Sequence, residues 1–160
     1  MTAPALTLLS EDERLFRDSV SEFANREIRP LVRDMDDRAR IPSALLTKLF
    51  RLGVMGIEIP DEFGGGGASF FHAVLAVEAL SRVDPAIGVL VDVQNTLVVN
   101  ALQCWGNDAL RHEYLPKLAK NAVGAYALSE SGAGSDAFAL TTERSEEHTS
   151  ELQSRFGISY

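Results

Sequence analysis

From Ile87 to Trp105 the chain is apolar on nearly every side of a helical wheel, with Val89, Leu90, Val91, Val93, Leu97, Val98, Val99, Ala101 and Leu102 leaving no polar face. A helix of that kind has to be covered on all sides, so the chain must supply further helices to wrap it. Asp84-Pro85 marks its start, with Asp as N-cap and Pro in the first helical position. Asp92, Gln94, Asn95, Thr96 and Asn100 interrupt the apolar run. They argue against a membrane span, which needs an uninterrupted apolar stretch. Polar groups on a buried helix need partners, and two uses are open for them: bonds to neighbouring helices, or the lining of a pocket. The 85–105 segment is expected to be the most buried element, with Leu97 in the core.

The covering helices are legible on either side. Ser10-Glu11-Asp12-Glu13 is a capping box that opens a first helix, and its acidic first turn suits the helix dipole. Leu15, Phe16, Val20, Phe23, Ala24 and Ile28 form one face at helical spacing; Pro30 interrupts, and the spacing resumes through Leu31, Val32 and Met35. A second helix opens at Ile41-Pro42-Ser43 and ends at Gly53 as its C-terminal cap. The β-rich run 54–60, bounded by Gly and Pro, predicts an extended segment. Its lone acid, Glu58, fits a hydrogen-bonded or solvent-facing role better than a catalytic one. Gly64 to Gly67 is too glycine-rich for helix, and without a following Lys and Ser/Thr it is not a P-loop. A third helix follows over 70–83. After Gly106, Asn107 caps a helix over 109–114, and Leu115-Pro116 is expected to break it. Residues 11–121 are therefore read as a helical domain.

From Val123 the pattern changes. Tyr126-Ala127-Leu128-Ser129 alternates like a strand, Gly132-Ala133-Gly134 punctuates a turn, and Ser135-Asp136 follows. Glycine permits positive φ and close approach of a ligand to the backbone, and successive N–H groups in a turn can face an anion. The residues alone leave open whether this is a ligand-facing edge or an ordinary strand-to-turn connection.

The segment YALSESGAGSD, residues 126–136, is similar to the flavin-binding signature of the acyl-CoA dehydrogenases. Further stretches agree in order and spacing: MGIEIP with EFGG at 55–65, QNT at 94–96, and YLPKL at 114–118. The likeness is to the short/branched-chain members and runs from about Leu8 to Thr142. It implies a mainly α chain: the N-terminal helical domain of the acyl-CoA dehydrogenase fold at 1–122, then at 123–142 the first strand of a truncated middle β-domain. Within the helical domain it implies that the glycine run 64–67 is a tight connection into the helix over 70–83. It implies FAD as cofactor and oxidation of an acyl-CoA to the 2,3-enoyl-CoA in the complete enzyme. Electron-transfer flavoprotein is the implied partner, and a homotetramer the implied assembly. Carried over residue by residue, Tyr126, Ala127, Leu128, Ser129, Glu130, Ser131, Gly132, Ala133, Gly134 and Ser135 are the cofactor-binding candidates. Backbone groups at Leu128 and the Ser129 hydroxyl would meet the polar edge of the flavin ring, and Ser135 would touch the CoA part of the substrate. No acid here matches the motif of the family's catalytic glutamate, so no catalytic residue is assigned. The chain is expected to be an N-terminal fragment, inactive alone.

Arg144 to Ser154 reads RSEEHTSELQS and resembles the in-frame translation of a sequencing adapter. Residues 143–160 are therefore expected to be a non-native tail, and its Glu146, Glu147, His148 and Glu151 to carry no site.

A formal net charge of −8 without a basic stripe argues against nucleic acid. The single Cys104 permits no intrachain disulfide and fits a reducing compartment. His72, His112 and His148 lack metal-ligand spacing, so no metal is expected. The first residues do not read as a targeting segment, which gives a cytoplasmic expectation, or the mitochondrial matrix for a eukaryotic relative. Two rivals remain open: an acyl-CoA oxidase-like flavoenzyme, and a non-catalytic helical module that binds a partner through its apolar faces.

Overall fold

The computed structural model describes residues 8–142, so the expected non-native tail lies outside the described residues. Among the described residues seven α-helices run in order: α1 Glu11–Phe23, α2 Val32–Arg38, α3 Ser43–Leu52, α4 Phe70–Ser81, α5 Pro85–Asp92, α6 Asn100–Trp105 and α7 Asp108–Lys120. Wider π turns, Ala24–Ile28 and Val93–Val99, extend α1 and join α5 to α6. The helix starts follow the sequence closely. Ser10 and Glu13 form the reciprocal capping box of α1, Asp84 accepts from the N–H groups of Ala86 and Ile87, and Asn107 accepts from Leu110. Gly53, at φ 88°, ends α3 in the left-handed region that glycine adopts without cost.

The main core lies between α1, α3, α4 and α5, where Val20, Phe23, Ile28, Leu45, Leu49, Leu80, Ile87 and Val91 are buried together. A smaller cluster of Ile59, Val99, Leu115 and Leu118 seats α7 on the far end of the 85–105 helix. That seat explains why α7 runs through Pro116 instead of breaking there. Pro removes one helical donor, but Leu115 and Leu118 on either side are both fully buried, and their burial holds the turn.

Three further expectations are corrected. The 85–105 helix is not the most buried element: only a third of its most apolar stretch is buried, whereas α4 buries Ala73, Leu75, Ala76, Ala79 and Leu80. Val89 is 59% exposed, Leu97 39% and Trp105 89%, because α4 and α7 cover only part of its circumference. The helix is long and apolar enough to cross a membrane, yet two of its polar residues, Gln94 and Asn95, are buried in bonds to neighbouring segments, which is how an internal helix of a folded domain is built.

The run 54–60 is not extended. It coils through a short 3₁₀ turn, Val54–Gly56, because its backbone partners come from the glycine turn and not from a strand. Gly66 N–H donates to Gly56 O at 2.9 Å, Gly67 N–H to Ile59 O at 2.9 Å, and Ala68 N–H to Ile57 O at 2.9 Å. A Cβ on Gly65 would lie 2.2 Å from the Ile59 carbonyl oxygen, so the approach requires glycine. The Gly64–Gly67 stretch thus has the structural role the sequence suggested. Finally, the strand expected at 126–129 is not formed among the described residues; the pairing there is an isolated bridge between Glu130 and Ala133. A strand is defined by a neighbour's ladder, and alternation without a neighbour leaves an open edge.

Candidate functional site

The 123–142 segment is launched by a buried side chain. Gln94, fully buried in the π turn, donates through Nε2 to Leu118 O at 3.1 Å and to Ala122 O at 3.0 Å, and its Oε1 accepts from Gly124 N–H at 2.7 Å. Its neighbour Asn95, equally buried, accepts from Ile57 N–H at 2.9 Å and donates to Val54 O at 2.8 Å and Val91 O at 2.9 Å. Each amide uses both of its donors and one acceptor lone pair, three of the four bonds it can make. Asp92 and Thr96 take the other use: they line a groove of about 250 Å³ with Phe70, Ala73, Val74 and Val77, and the Thr96 hydroxyl donates to the Asp92 carbonyl at 2.9 Å. The two alternatives open for these residues are therefore both realised, by different residues at the junction of α5 and the π turn.

Beyond Gly124 the chain opens outward. Tyr126 is 47% exposed and Leu128 42%. Within the described residues no hydrogen bond engages the backbone of 126–129 or the hydroxyls of Ser129, Ser131 and Ser135. The turn is closed by Glu130 N–H to Ala133 O at 3.0 Å and Ala133 N–H to Glu130 O at 3.2 Å, which buries the Ala133 methyl. Gly132 and Gly134 flank it with no heavy atom within 4 Å of a Cβ built on either, and neither has positive φ. Neither internal packing nor backbone conformation calls for glycine at these two positions.

The Glu130 carboxylate faces back onto the chain. It accepts from Thr141 N–H at 2.9 Å, from the Thr141 hydroxyl at 3.2 Å and from Thr142 N–H at 3.0 Å. These bonds, led by the Thr141 backbone N–H, hold its pKa down to about 2. Asp136 accepts from Phe138 N–H at 3.2 Å. The structure thus brings Tyr126 to Ser135 together as one exposed edge and turn, with Glu130 and Ala133 as its internal fasteners.

Other polar candidates fall elsewhere. His72 bonds Ser69 through Nδ1 at 2.9 Å and stands edge-on to Phe16, and His112 bonds the Asp108 carbonyl at 2.7 Å and stands edge-on to Phe63. Among the described residues no group of three metal-ligating side chains converges. Glu58, expected to be hydrogen-bonded or solvent-facing, instead has one carboxylate oxygen buried without a partner. Burial pushes its carboxyl pKa up. What the sequence did not single out is the pairing of Gln94 with Gly124. The only sign of it was a polar amide on an otherwise apolar helix.

Comparison with known proteins is consistent with this geometry. Residues 10–122 match the family model described as acyl-CoA dehydrogenase, N-terminal domain. The chain is 50% identical over 137 residues to a probable short/branched chain specific acyl-CoA dehydrogenase of Dictyostelium discoideum, covering 86% of this chain and 33% of that protein. It is 38% identical over 137 residues to the mitochondrial short/branched chain specific acyl-CoA dehydrogenase of Bos taurus, covering 86% and 32%. Among solved structures, a glutaryl-CoA dehydrogenase from Mycobacterium smegmatis in complex with FADH2 superposes with a TM-score of 0.78 at 29% identity, over 84% of this chain and 35% of that one. The chain spans about a third of the length of the curated relatives it matches.

Proposed function

The chain belongs to the acyl-CoA dehydrogenase family through its N-terminal domain, and on that premise we propose that the complete protein oxidises a short or branched-chain acyl-CoA to the 2,3-enoyl-CoA with FAD. The observation that carries this is the open edge at 126–129, whose backbone groups and Ser129 hydroxyl have no partner within the described residues. A planar ring with polar atoms along one side fits such an edge. The space beside Gly132 and Gly134 fits a bulky group pressed against the backbone. The fold similarity to a flavin-loaded glutaryl-CoA dehydrogenase supports the same cofactor.

When bound, FAD supplies the hydride acceptor. This chain's residues bind and orient. Leu128 backbone groups and the Ser129 hydroxyl hold the ring's polar edge, Tyr126 and Leu128 shield it from water, and Ser135 receives the CoA part of the substrate. Ala133 keeps its methyl inside and fixes the turn. The segment's two carboxylates, Glu130 and Asp136, are occupied by backbone N–H groups, and Glu130, with its pKa held to about 2, is a poor base. Removal of the substrate α-proton is accordingly assigned to a group outside residues 8–142, and the present chain alone to no catalysis. Electron-transfer flavoprotein as electron acceptor and a homotetrameric assembly complete the proposal.

The test is the visible spectrum of the purified complete protein. Bound oxidised flavin that bleaches on addition of a short or branched-chain acyl-CoA is the expected result. A colourless protein that ignores acyl-CoA overturns it in favour of the helical interaction module. That second reading draws on the exposed Phe70, Val74, Val89, Leu97 and Trp105. Rapid reoxidation by oxygen would point to the oxidase-like relative instead.

A further inference from the structure

The helix that borders the apolar groove also grips the start of the open edge, and it does so twice at one residue. Gln94 Oε1 accepts from Gly124 N–H at 2.7 Å while its Nε2 is tied to Leu118 O and Ala122 O. One turn further along, Val98 stands against the same residue: a Cβ on Gly124 would lie 2.4 Å from Val98 Cγ1 and 2.9 Å from Cγ2. A β-branched side chain on a helix has essentially one rotamer and cannot swing away. Gly124 is thus pulled inward by a hydrogen bond and stopped by a rigid branch. Only Ala125 lies between it and Tyr126, two residue steps with a reach of about 7 Å even when fully extended.

We propose that Gln94 and Val98 are positioning residues for the flavin-facing edge, fixing its height over the 85–105 helix so that edge and helix move as one body. The proposal rests on the flavin reading of residues 126–135. It also assigns a reason for glycine at 124 that neither φ nor a turn requires: any side chain would lift the edge off Val98. It gives a buried polar residue on an apolar helix a task at the site beyond satisfying its own bonds. A substituent on the helix is then felt at the ring's edge without touching the ligand, because the joint transmits the displacement.

The test uses the complete flavoprotein. Gly124→Ala adds one methyl at the contact and should weaken flavin binding by about tenfold or more and shift the bound-flavin absorbance band. Val98→Ala opens the matching space, so the double variant should recover both affinity and spectrum. A purely structural joint predicts that any flavin loss follows the melting temperature, whereas positioning predicts altered flavin spectra in variants that remain fully folded at the assay temperature. Gln94→Glu keeps the acceptor for Gly124 N–H and loses both donors; Gln94→Leu loses all three bonds. The first should keep the flavin band nearer that of the parent. Failure of either Gln94 variant to fold leaves the Gly124 and Val98 pair to decide. Flavin affinity and spectrum unchanged in Gly124→Ala, or a loss that Val98→Ala does not restore, overturns the positioning. A complete parent protein without flavin overturns the flavin reading, and the proposal with it.

Discussion

Asn95 and Ile57, 38 residues apart, are joined by a 2.9 Å bond from the Ile57 N–H to the Asn95 Oδ1. With Asn95 Nδ2 donating to Val54 O at 2.8 Å, one amide side chain stands in for the strand partner that the 54–60 run lacks. Asn95→Ala would orphan both groups in a dry interior. At about 1–3 kcal/mol for each unsatisfied buried group, the loss should be about 2–6 kcal/mol. A denaturant melt showing less than about 1 kcal/mol would mean that water or a backbone shift replaces the amide.

The glycines of the neighbouring turn differ in what they tolerate. Gly65→Ala puts a methyl 2.2 Å from the Ile59 carbonyl oxygen and 2.3 Å from Ile59 Cβ, and the backbone there is pinned by the bonds from Gly66 and Gly67. Overpacking of this kind costs about 1–3 kcal/mol and sometimes more, and the upper end is expected here. Gly53→Ala meets open space but at φ 88°, so it should cost only the left-handed penalty of about 1–2 kcal/mol. Melts of the two variants in one background should rank Gly65→Ala as the more damaging; the reverse order would contradict the contact geometry.

Leu97 shows where sequence reading reached its limit. The all-round apolar pattern placed it in the core, yet it is 39% exposed. Periodicity reports that a face needs cover and is silent on which segment covers it. Leu97→Ala should therefore cost well under the about 2–5 kcal/mol of a buried leucine, whereas Leu115→Ala and Leu118→Ala, both fully buried, should fall within that range. Equal losses at Leu97 and Leu115 in a thermal melt would show that Leu97 is covered after all.

Local signals fared better than long-range ones for the same physical reason. The caps at Ser10, Asp84 and Asn107 depend on residues two or three positions away, and they formed as read. The helix through Pro116 and the coil at 54–60 depend on Leu118, Ile59 and Asn95, whose partners lie far off in sequence. In the candidate site, the order Tyr126 to Ser135 was visible as a motif, but its anchor was not. Nothing in the spacing of Gln94 and Gly124 announces a bond between them.

Glu58 offers a stability test of the opposite sign. One of its oxygens is buried and unpartnered, and burial raises its pKa above the ordinary 4.5. An acid raised on folding favours the folded state at low pH, and its contribution turns unfavourable as pH rises from the ordinary value through the raised one. Glu58→Gln should then raise the melting temperature at pH 7 and leave it nearly unchanged at about pH 3, below the ordinary carboxyl range. A variant no more stable than the parent at pH 7 would show that the buried oxygen finds a donor in solution.

Glu130 should respond in the other direction. Its pKa is held near 2, against an ordinary 4.5, by the N–H groups of Thr141 and Thr142. A group whose pKa is depressed on folding contributes fully above its unfolded value and loses that contribution as pH falls through the folded one. The fastening of 141–142 to the turn should therefore be intact at pH 5 and above and should weaken progressively between about 4.5 and 2. Glu130 is only partly covered, so salt should weaken the fastening as well. The observable is local: the amide shifts of Thr141 and Thr142 should titrate together with a midpoint near 2, and their protection against exchange, relative to a free amide at the same pH, should fall across the same window while the helices are unaffected. Glu130→Gln keeps one acceptor oxygen but removes the charge, so both amides should exchange faster than in the parent at neutral pH and lose their acid dependence. A midpoint at the ordinary carboxylate value would mean that the turn is not fastened this way, and Glu130 would then be open to contact a ligand instead.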